Sequence, residues 1–460
     1  MNNSILLEKE LTVQLDHFDL DMRQYALATL CQMVDDGKAQ TTKQQEIINL
    51  HCHSFFSYNG YGYSPTHLAW LGRKHGIHFM GVVDFDVLDA VDEFLDACEI
   101  AGVRGTAGIE TRVFIPEFSD VEINSPGEPG VAYHMGTGFT TSRVSGDALT
   151  AMRTLRERAA ERNQNMLVRI NQFLAPLVID YTADVLPLTP AGNATERHIV
   201  QVLAEKAERT LPDPAAFWAE KLKMDQDEIA LLMPDTNRLQ DLLRTKLMKR
   251  GSIGYVQPTP DSFPTVEELH AVVEACGALP CCAWLDGTSP GEQRMEELLH
   301  LLVGKGVRAI NIVPDRNWNI SNPDDKKVKL ANLYQIVEIA QQLDLPVLVG
   351  TEMNKFGQKM VDDFDAPELQ PVKSAFIKGA YMIYGHTQLA RYWNIGYQSA
   401  WADAHFKQRK ARNDFYEEAG KLIPPGKKTV AEDLLQFSPQ EVLTYLEKHE
   451  QGAKHNDKTI

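Results

Sequence analysis

The segment Ile48-Asn49-Leu50-His51-Cys52-His53-Ser54 sets two imidazoles two residues apart, directly after an apolar run that reads as a strand. Side chains at i and i+2 of an extended segment leave the same face. His51 and His53 can therefore grip one metal ion together, while Cys52 should point the other way. In barrels and open α/β sheets, chemistry gathers at the carboxyl ends of strands. Partner ligands are thus expected where later strands end. Glu110 in Gly108-Ile109-Glu110 and Glu352 in Val349-Gly350-Thr351-Glu352 meet that expectation, as does His134 in Tyr133-His134-Met135-Gly136. The N₂O₂ set of His51, His53, Glu110 and Glu352 suits Zn²⁺, Mn²⁺ or Fe²⁺ better than Mg²⁺ or Ca²⁺.

The elements that would position these residues follow a clear rhythm. Residues 1–45 read as a helical extension, with Tyr25, Leu27, Leu30, Cys31 and Val34 on one apolar stripe. From residue 46 to 140, short apolar runs (Ile47–Leu50, Phe79–Val83, Val113–Ile115) alternate with helical stretches, one of them ended by Gly102. Such alternation implies a parallel sheet with helical crossovers. Residues 141–255 lose the strand signal and read as a helical insertion. The alternation resumes over 256–370 with strands at Pro280–Trp284, Ala309–Val313 and Val347–Gly350. Residues 371–460 form a mainly helical tail.

Bulk properties narrow the chemistry further. Of 460 residues, 43% are hydrophobic and 24% charged, as in ordinary globular proteins. A formal charge of −17 gives no bulk field for nucleic acid, although a carboxylate-lined cleft could hold cations. No apolar run approaches the roughly 20 residues needed to span a bilayer, and the amino-terminal residues lack a secretory pattern. The six cysteines show no disulfide-scaffold spacing. These features together imply a cytoplasmic protein.

The order of these motifs resembles the PHP (polymerase and histidinol phosphatase) family over roughly residues 46–140 and 256–360. His51-Cys52-His53-Ser54 is similar to that family's His-x-His-Ser/Thr motif, and Gly108-Ile109-Glu110 to its Gly-x-Glu. His134 is similar to the histidine that follows, and Pro346–Asn354 to its Pro-Val-x-x-Gly-Ser-Asp-x-His. The resemblance implies an α/β fold: a distorted (β/α)₇ TIM-like barrel of PHP type, here with a helical insertion and helical extensions at both termini. It also implies phosphoester hydrolysis by metal-activated water, with Glu110 bridging ions and His134 completing a second. Three departures stand out. Phe85 and Trp284 replace histidine ligands, and Asn354 replaces the last histidine. The implied centre is therefore reduced to one or two divalent ions per chain.

Other positions follow from spacing or from the insertion's likeness to nucleotide-acting relatives. Asp84, after the second strand, could order water or orient a ligand histidine. Arg158, Arg162 and Arg169 share one face of a helix, and guanidinium groups grip phosphate bidentately. Arg197 and His198 resemble part of the relatives' insertion signature, and Asn354 could hydrogen-bond substrate. The expected partner is a small phosphorylated molecule such as a nucleotide, with no membrane; the oligomeric state is left open. One ion with four protein ligands is closer to a closed structural site than to an open catalytic one. A non-catalytic PHP relative that binds a metal or ligand is therefore the main alternative, and an amidohydrolase-type barrel the third.

Overall fold

The computed structural model describes residues 2–426 and 432–456. Seven strands form where the apolar runs are strongest. They are β1 (Gln45–Cys52), β2 (Ile77–Phe85), β3 (Arg104–Phe114), β4 (Val131–Thr137), β5 (Leu279–Trp284), β6 (Ala309–Ile312) and β7 (Val347–Val349). They pair in chain order, and an isolated bridge between Cys52 and Glu352 brings the last back to the first. The result is a nearly closed seven-stranded barrel in a mixed α/β protein.

Helices surround this sheet. α1 (Asn2–Gln14) and α2 (Leu20–Asp35) precede it, while α3 (Pro65–Lys74) and α4 (Val91–Ala101) are crossovers. α5 (Gly146–Leu174), α6 (Glu196–Thr210), α7 (Pro214–Leu222), α8 (Gln226–Leu232) and α9 (Thr236–Met248) lie between β4 and β5. α10 (Val266–Ala275), α11 (Met295–Gly304), α12 (Asp315–Trp318) and α13 (Pro323–Gln342) flank the later strands. α14 (Gln370–Trp393), α15 (Ala400–His405), α16 (Arg409–Leu422) and α17 (Pro439–Asn456) complete the chain. Local signals set several starts. Ser64 caps α3 by accepting the His67 N–H at 2.9 Å, with Pro65 in the first turn. Thr265 and Glu268 close a reciprocal capping box on α10.

One strand departs from the parallel pattern. β4 runs antiparallel to both β3 and β5, whereas the other neighbours are parallel. The link from β3 to β4 carries only a short helical turn at Pro116–Phe118. Without a crossover helix to carry the chain back across the sheet, the strand must return in the opposite sense.

Two apolar cores result. The larger runs from the barrel through α2, where Ala26, Leu27, Leu30, Cys31 and Met33 are buried. Tyr25, expected on that stripe, is instead 65% exposed. The extension is tied to α4 by a buried ion pair, with Arg23 Nε 2.8 Å from Glu93 Oε1 and Nη2 2.5 Å from Oε2. The smaller core lies wholly in the insertion, around Ile199, Leu203, Trp218 and Leu243.

α14 closes the barrel at its amino-terminal end. Gly379 lies so near Val347, at the start of β7, that a Cβ there would overlap its carbonyl. Tyr381 Oη is 3.3 Å from His78 Nε2 at the start of β2. His386 Nε2 donates to the Gly138 carbonyl at 2.9 Å, just past β4. The open end of the barrel is therefore the one at which β1, β2 and β3 finish.

Candidate metal centre

His51 and His53 leave the same face at the end of β1, as period-2 alternation requires. Cys52, between them, is fully buried elsewhere, and burial pushes its thiol well up from the usual range. Glu110 comes from β3, where Phe85 of β2 is its register partner. Glu110 Oε2 lies 3.3 Å from His51 Nε2 and 3.2 Å from His53 Nε2. Among the described residues these three form the one group of metal-ligating side chains whose donor atoms all fall within 4.8 Å. All are buried, at 2%, 0% and 5% exposure, so any charge among them must be answered locally.

The hydrogen bonds around the imidazoles fix which nitrogen carries the proton. His51 Nδ1 is 3.0 Å from Asn311 Oδ1, an acceptor, so Nδ1 must be the donor. His53 Nδ1 is 3.1 Å from Ser57 Oγ. That hydroxyl gives its only proton to Asp84 Oδ1 at 2.6 Å, so it accepts from the imidazole. Asp84 is itself held by the Ser54 N–H and hydroxyl at 2.8 and 2.6 Å. Both Nε2 atoms are left as buried lone pairs with no hydrogen-bond partner.

Two nitrogen lone pairs thus face a carboxylate oxygen at little more than 3 Å. Acceptors so arranged need a proton or a metal ion between them. Burial pushes His51 down, but Glu110 and then Glu352 outweigh it and hold the imidazole above its ordinary value. Burial likewise raises Glu110, yet the two histidines pull it below the usual carboxylate range. The donor set, its burial and the fixed tautomers fit a divalent metal ion. Phe85 stacks on His53 with ring centres 4.2 Å apart, covering the side from which a further histidine was expected.

Glu352 is not part of this group. Its backbone sits between the ligands: the Glu352 N–H donates to the His51 carbonyl at 2.7 Å, and the Glu352 carbonyl accepts from the His53 N–H at 2.7 Å. Its carboxylate is held by Arg316, with Nη2 at 2.7 and 2.8 Å from the two oxygens, and by Asn354 Nδ2 at 3.1 Å. Glu352 and Met353 both adopt left-handed φ, +67° and +56°, which is strained for residues with a Cβ. Gly350 lets β7 approach, since a Cβ there would overlap His51 Cβ and its backbone nitrogen.

His134, expected as a ligand, is turned away. In the reversed strand β4 its register partner is Thr111, while Glu110 faces Met135. A one-residue offset places it on the opposite face. There His134 Nε2 meets His270 Nε2 of α10 at 2.7 Å. Burial pushes both imidazoles down.

The insertion's candidates divide. Arg162 lies over the Phe263 ring at 4.8 Å and Arg112, from β3, over the same ring at 4.3 Å. Arg162 Nη2 is 3.9 Å from Asp86 Oδ2, while Arg112 is paired with Glu128 at 2.8 Å. Arg169 instead binds the Gly254 carbonyl at 2.7 Å. Arg197 is paired with Asp241, which also binds Lys355 of the loop after β7, both at 2.8 Å. His198 accepts the Thr195 N–H at 3.0 Å, and burial lowers it to about 4. It lines a cleft of about 370 Å³ with Tyr58, Asn59, Gln201 and Gln240.

Ser57, Asn311, Arg112 and Arg316 carry much of this geometry and were not marked by sequence. Asn311, mid-strand between Ile310 and Ile312 in the apolar run Ala309–Ile312, was the one legible anomaly: a buried amide in a core strand requires a partner.

No family model and no curated protein matches the sequence. Distant likenesses among solved structures include the following two. An amidohydrolase from Chromobacterium violaceum superposes with a TM-score of 0.45 at 15% identity, covering 71% of this chain and 96% of that one. A protein described as a metal-dependent phosphoesterase from Bifidobacterium adolescentis gives 0.44 at 19% identity, covering 73% and 98%.

Proposed function

We propose that the protein is a metal-dependent hydrolase of PHP type that cleaves a small phosphorylated molecule. The observation that carries this reading is the His51–His53–Glu110 group, with both Nε2 lone pairs aimed at one carboxylate oxygen. Three protein ligands leave coordination positions open, as catalytic sites do, where four would have closed the shell. One divalent ion, Zn²⁺, Mn²⁺ or Fe²⁺, is proposed, because the second ion that the family resemblance implied would lose His134.

A bound divalent ion would polarise a phosphoryl oxygen and bring the pKa of a water toward neutrality. The chain's own residues supply the rest. Asn311 and the Asp84–Ser57 pair keep the protons on Nδ1 of the two histidines and so keep Nε2 available. Arg112 and Arg162 offer guanidinium groups to an anionic substrate. Phe85 excludes water from one side of His53.

The test is metal analysis of the purified protein, followed by phosphate release from a panel of nucleotides and sugar phosphates. The expected result is about one divalent ion per chain and phosphate release that His53→Ala abolishes. Stoichiometric metal with no hydrolysis of any phosphoester would instead favour the non-catalytic relative. Cleavage of amides alone would favour the amidohydrolase reading.

A further inference from the structure

Glu352 presents an unusual combination. Its backbone is fixed between the two ligand histidines by two hydrogen bonds of 2.7 Å. Pairing with Cys52 in a regular strand would turn its side chain to the face away from them. The left-handed φ of +67° breaks that alternation. The carboxylate then sits close enough for its charge to act on His51, yet outside the ligand group, because Arg316 holds both oxygens. Arg316 belongs to α12, directly after β6, and is also near enough for Glu110 to act on it. A guanidinium partly open to solvent and occupied by an internal carboxylate is a place where an external anion can compete.

We propose that Arg316 and Glu352 form an anion-operated switch on the metal centre, a reading that rests on the proposed metal site. An anionic oxygen of the phosphate class that takes Arg316 releases the Glu352 carboxylate. The freed carboxylate then turns to the ion as a fourth protein ligand and closes its shell, so the anion that operates the switch acts as an inhibitor like the phosphate product and not as the substrate. No bond is made or broken other than ion pairs and coordination. Anion and metal therefore bind cooperatively, by linkage through one carboxylate.

The test uses Co²⁺ as the probe, with inorganic phosphate as the anion, read by visible absorption and by calorimetric titration. Without phosphate, Arg316→Gln should change the Co²⁺ band relative to the natural protein and tighten Co²⁺ binding by on the order of tenfold. The double variant Arg316→Gln/Glu352→Gln should return both to the natural values. Arg316→Lys, which keeps a cation, should resemble the natural protein. Glu352→Gln alone should leave phosphate-free Co²⁺ affinity unchanged and weaken the phosphate effect. Identical phosphate-free spectra for the natural protein, Arg316→Gln and the double variant would overturn the switch while leaving the metal site standing. Weaker phosphate-free binding in Glu352→Gln would also overturn it, since Glu352 would then already be a ligand at rest. Absence of Co²⁺ binding in all forms would remove both readings.

Discussion

At the scale of single residues, the centre depends on groups that never touch the ion. Ser57 converts the charge of Asp84 into a proton position on His53. Such supporting partners are typically worth about 10–100-fold in metal affinity. Ser57→Ala is therefore expected to weaken metal binding by roughly that factor, with calorimetric titration as the measure and an unchanged Kd as the refuting result. Gly350→Ala should do more damage, because its Cβ would displace His51 itself. The expected outcome is loss of stoichiometric metal together with a lower melting temperature. Normal metal content in a folded Gly350→Ala protein would show that β7 can recede without moving the histidine.

At the scale of elements, α2 and α14 carry the clearest energetic consequences. Arg23 is 3% exposed and its partner Glu93 also accepts from Thr66, so removing the guanidinium strands a buried carboxylate. Breaking such a pair costs about 3–5 kcal/mol. Arg23→Ala should lower the urea midpoint accordingly, and a change below about 1 kcal/mol would mean that water reaches Glu93. In α14, both nitrogens of His386 are used: Nε2 donates to Gly138, and Nδ1 accepts the Tyr397 N–H at 2.8 Å. Protonation would destroy the second bond, and burial lowers the imidazole to about 4. A histidine whose folded value is depressed below its unfolded 6.5 adds stability above pH 6.5, which is lost as the pH falls toward 4. The loss should approach about 3 kcal/mol. Urea titrations at pH 7 and pH 4.5 would check this, since the gap between them should shrink in His386→Asn.

The same scale shows what the sequence could disclose. The pairing of His51 with His53 was legible because alternation is a local property of a strand, and Glu110 and Glu352 were legible beside apolar runs, although Glu110 lies within β3 and not at its end. The orientation of His134 was not. It depends on β4 reversing, which depends on a link too poor in helix to cross the sheet. Nor was Arg316, nor the partner that Asn311 would find, because both contacts arise only when the chain after β7 meets β1 and brings β6 within reach across the barrel. The loss of strand periodicity between β4 and β5 was visible, but the separate core formed there was not.

At the scale of the whole molecule, that separate core predicts how the protein unfolds. Trp70 lies in the barrel core and Trp218 in the insertion core, both buried. Apart from the links where the chain enters and leaves the insertion, contacts between the two include Asp241 with Lys355, Asn193 with the carbonyls of Phe56 and Phe85, and the Tyr58 ring edge-on to His198. Units joined this way commonly unfold in separate steps. Single-tryptophan versions retaining either Trp70 or Trp218 should show distinct urea midpoints, and coincident curves would refute this.

The proton on His51 has one more consequence, which concerns the order of synthesis. All ligands of the proposed ion are present once Glu110 has been made, yet the residue that fixes the His51 tautomer is Asn311, in β6. At ordinary elongation rates the two are separated by roughly 10–40 seconds of translation. During that interval a nascent chain holds the complete ligand set but lacks the hydrogen bond that aims it. Firm capture of an ion therefore belongs to the late stage of biosynthesis, after the insertion has emerged and the second half of the barrel has closed on the first.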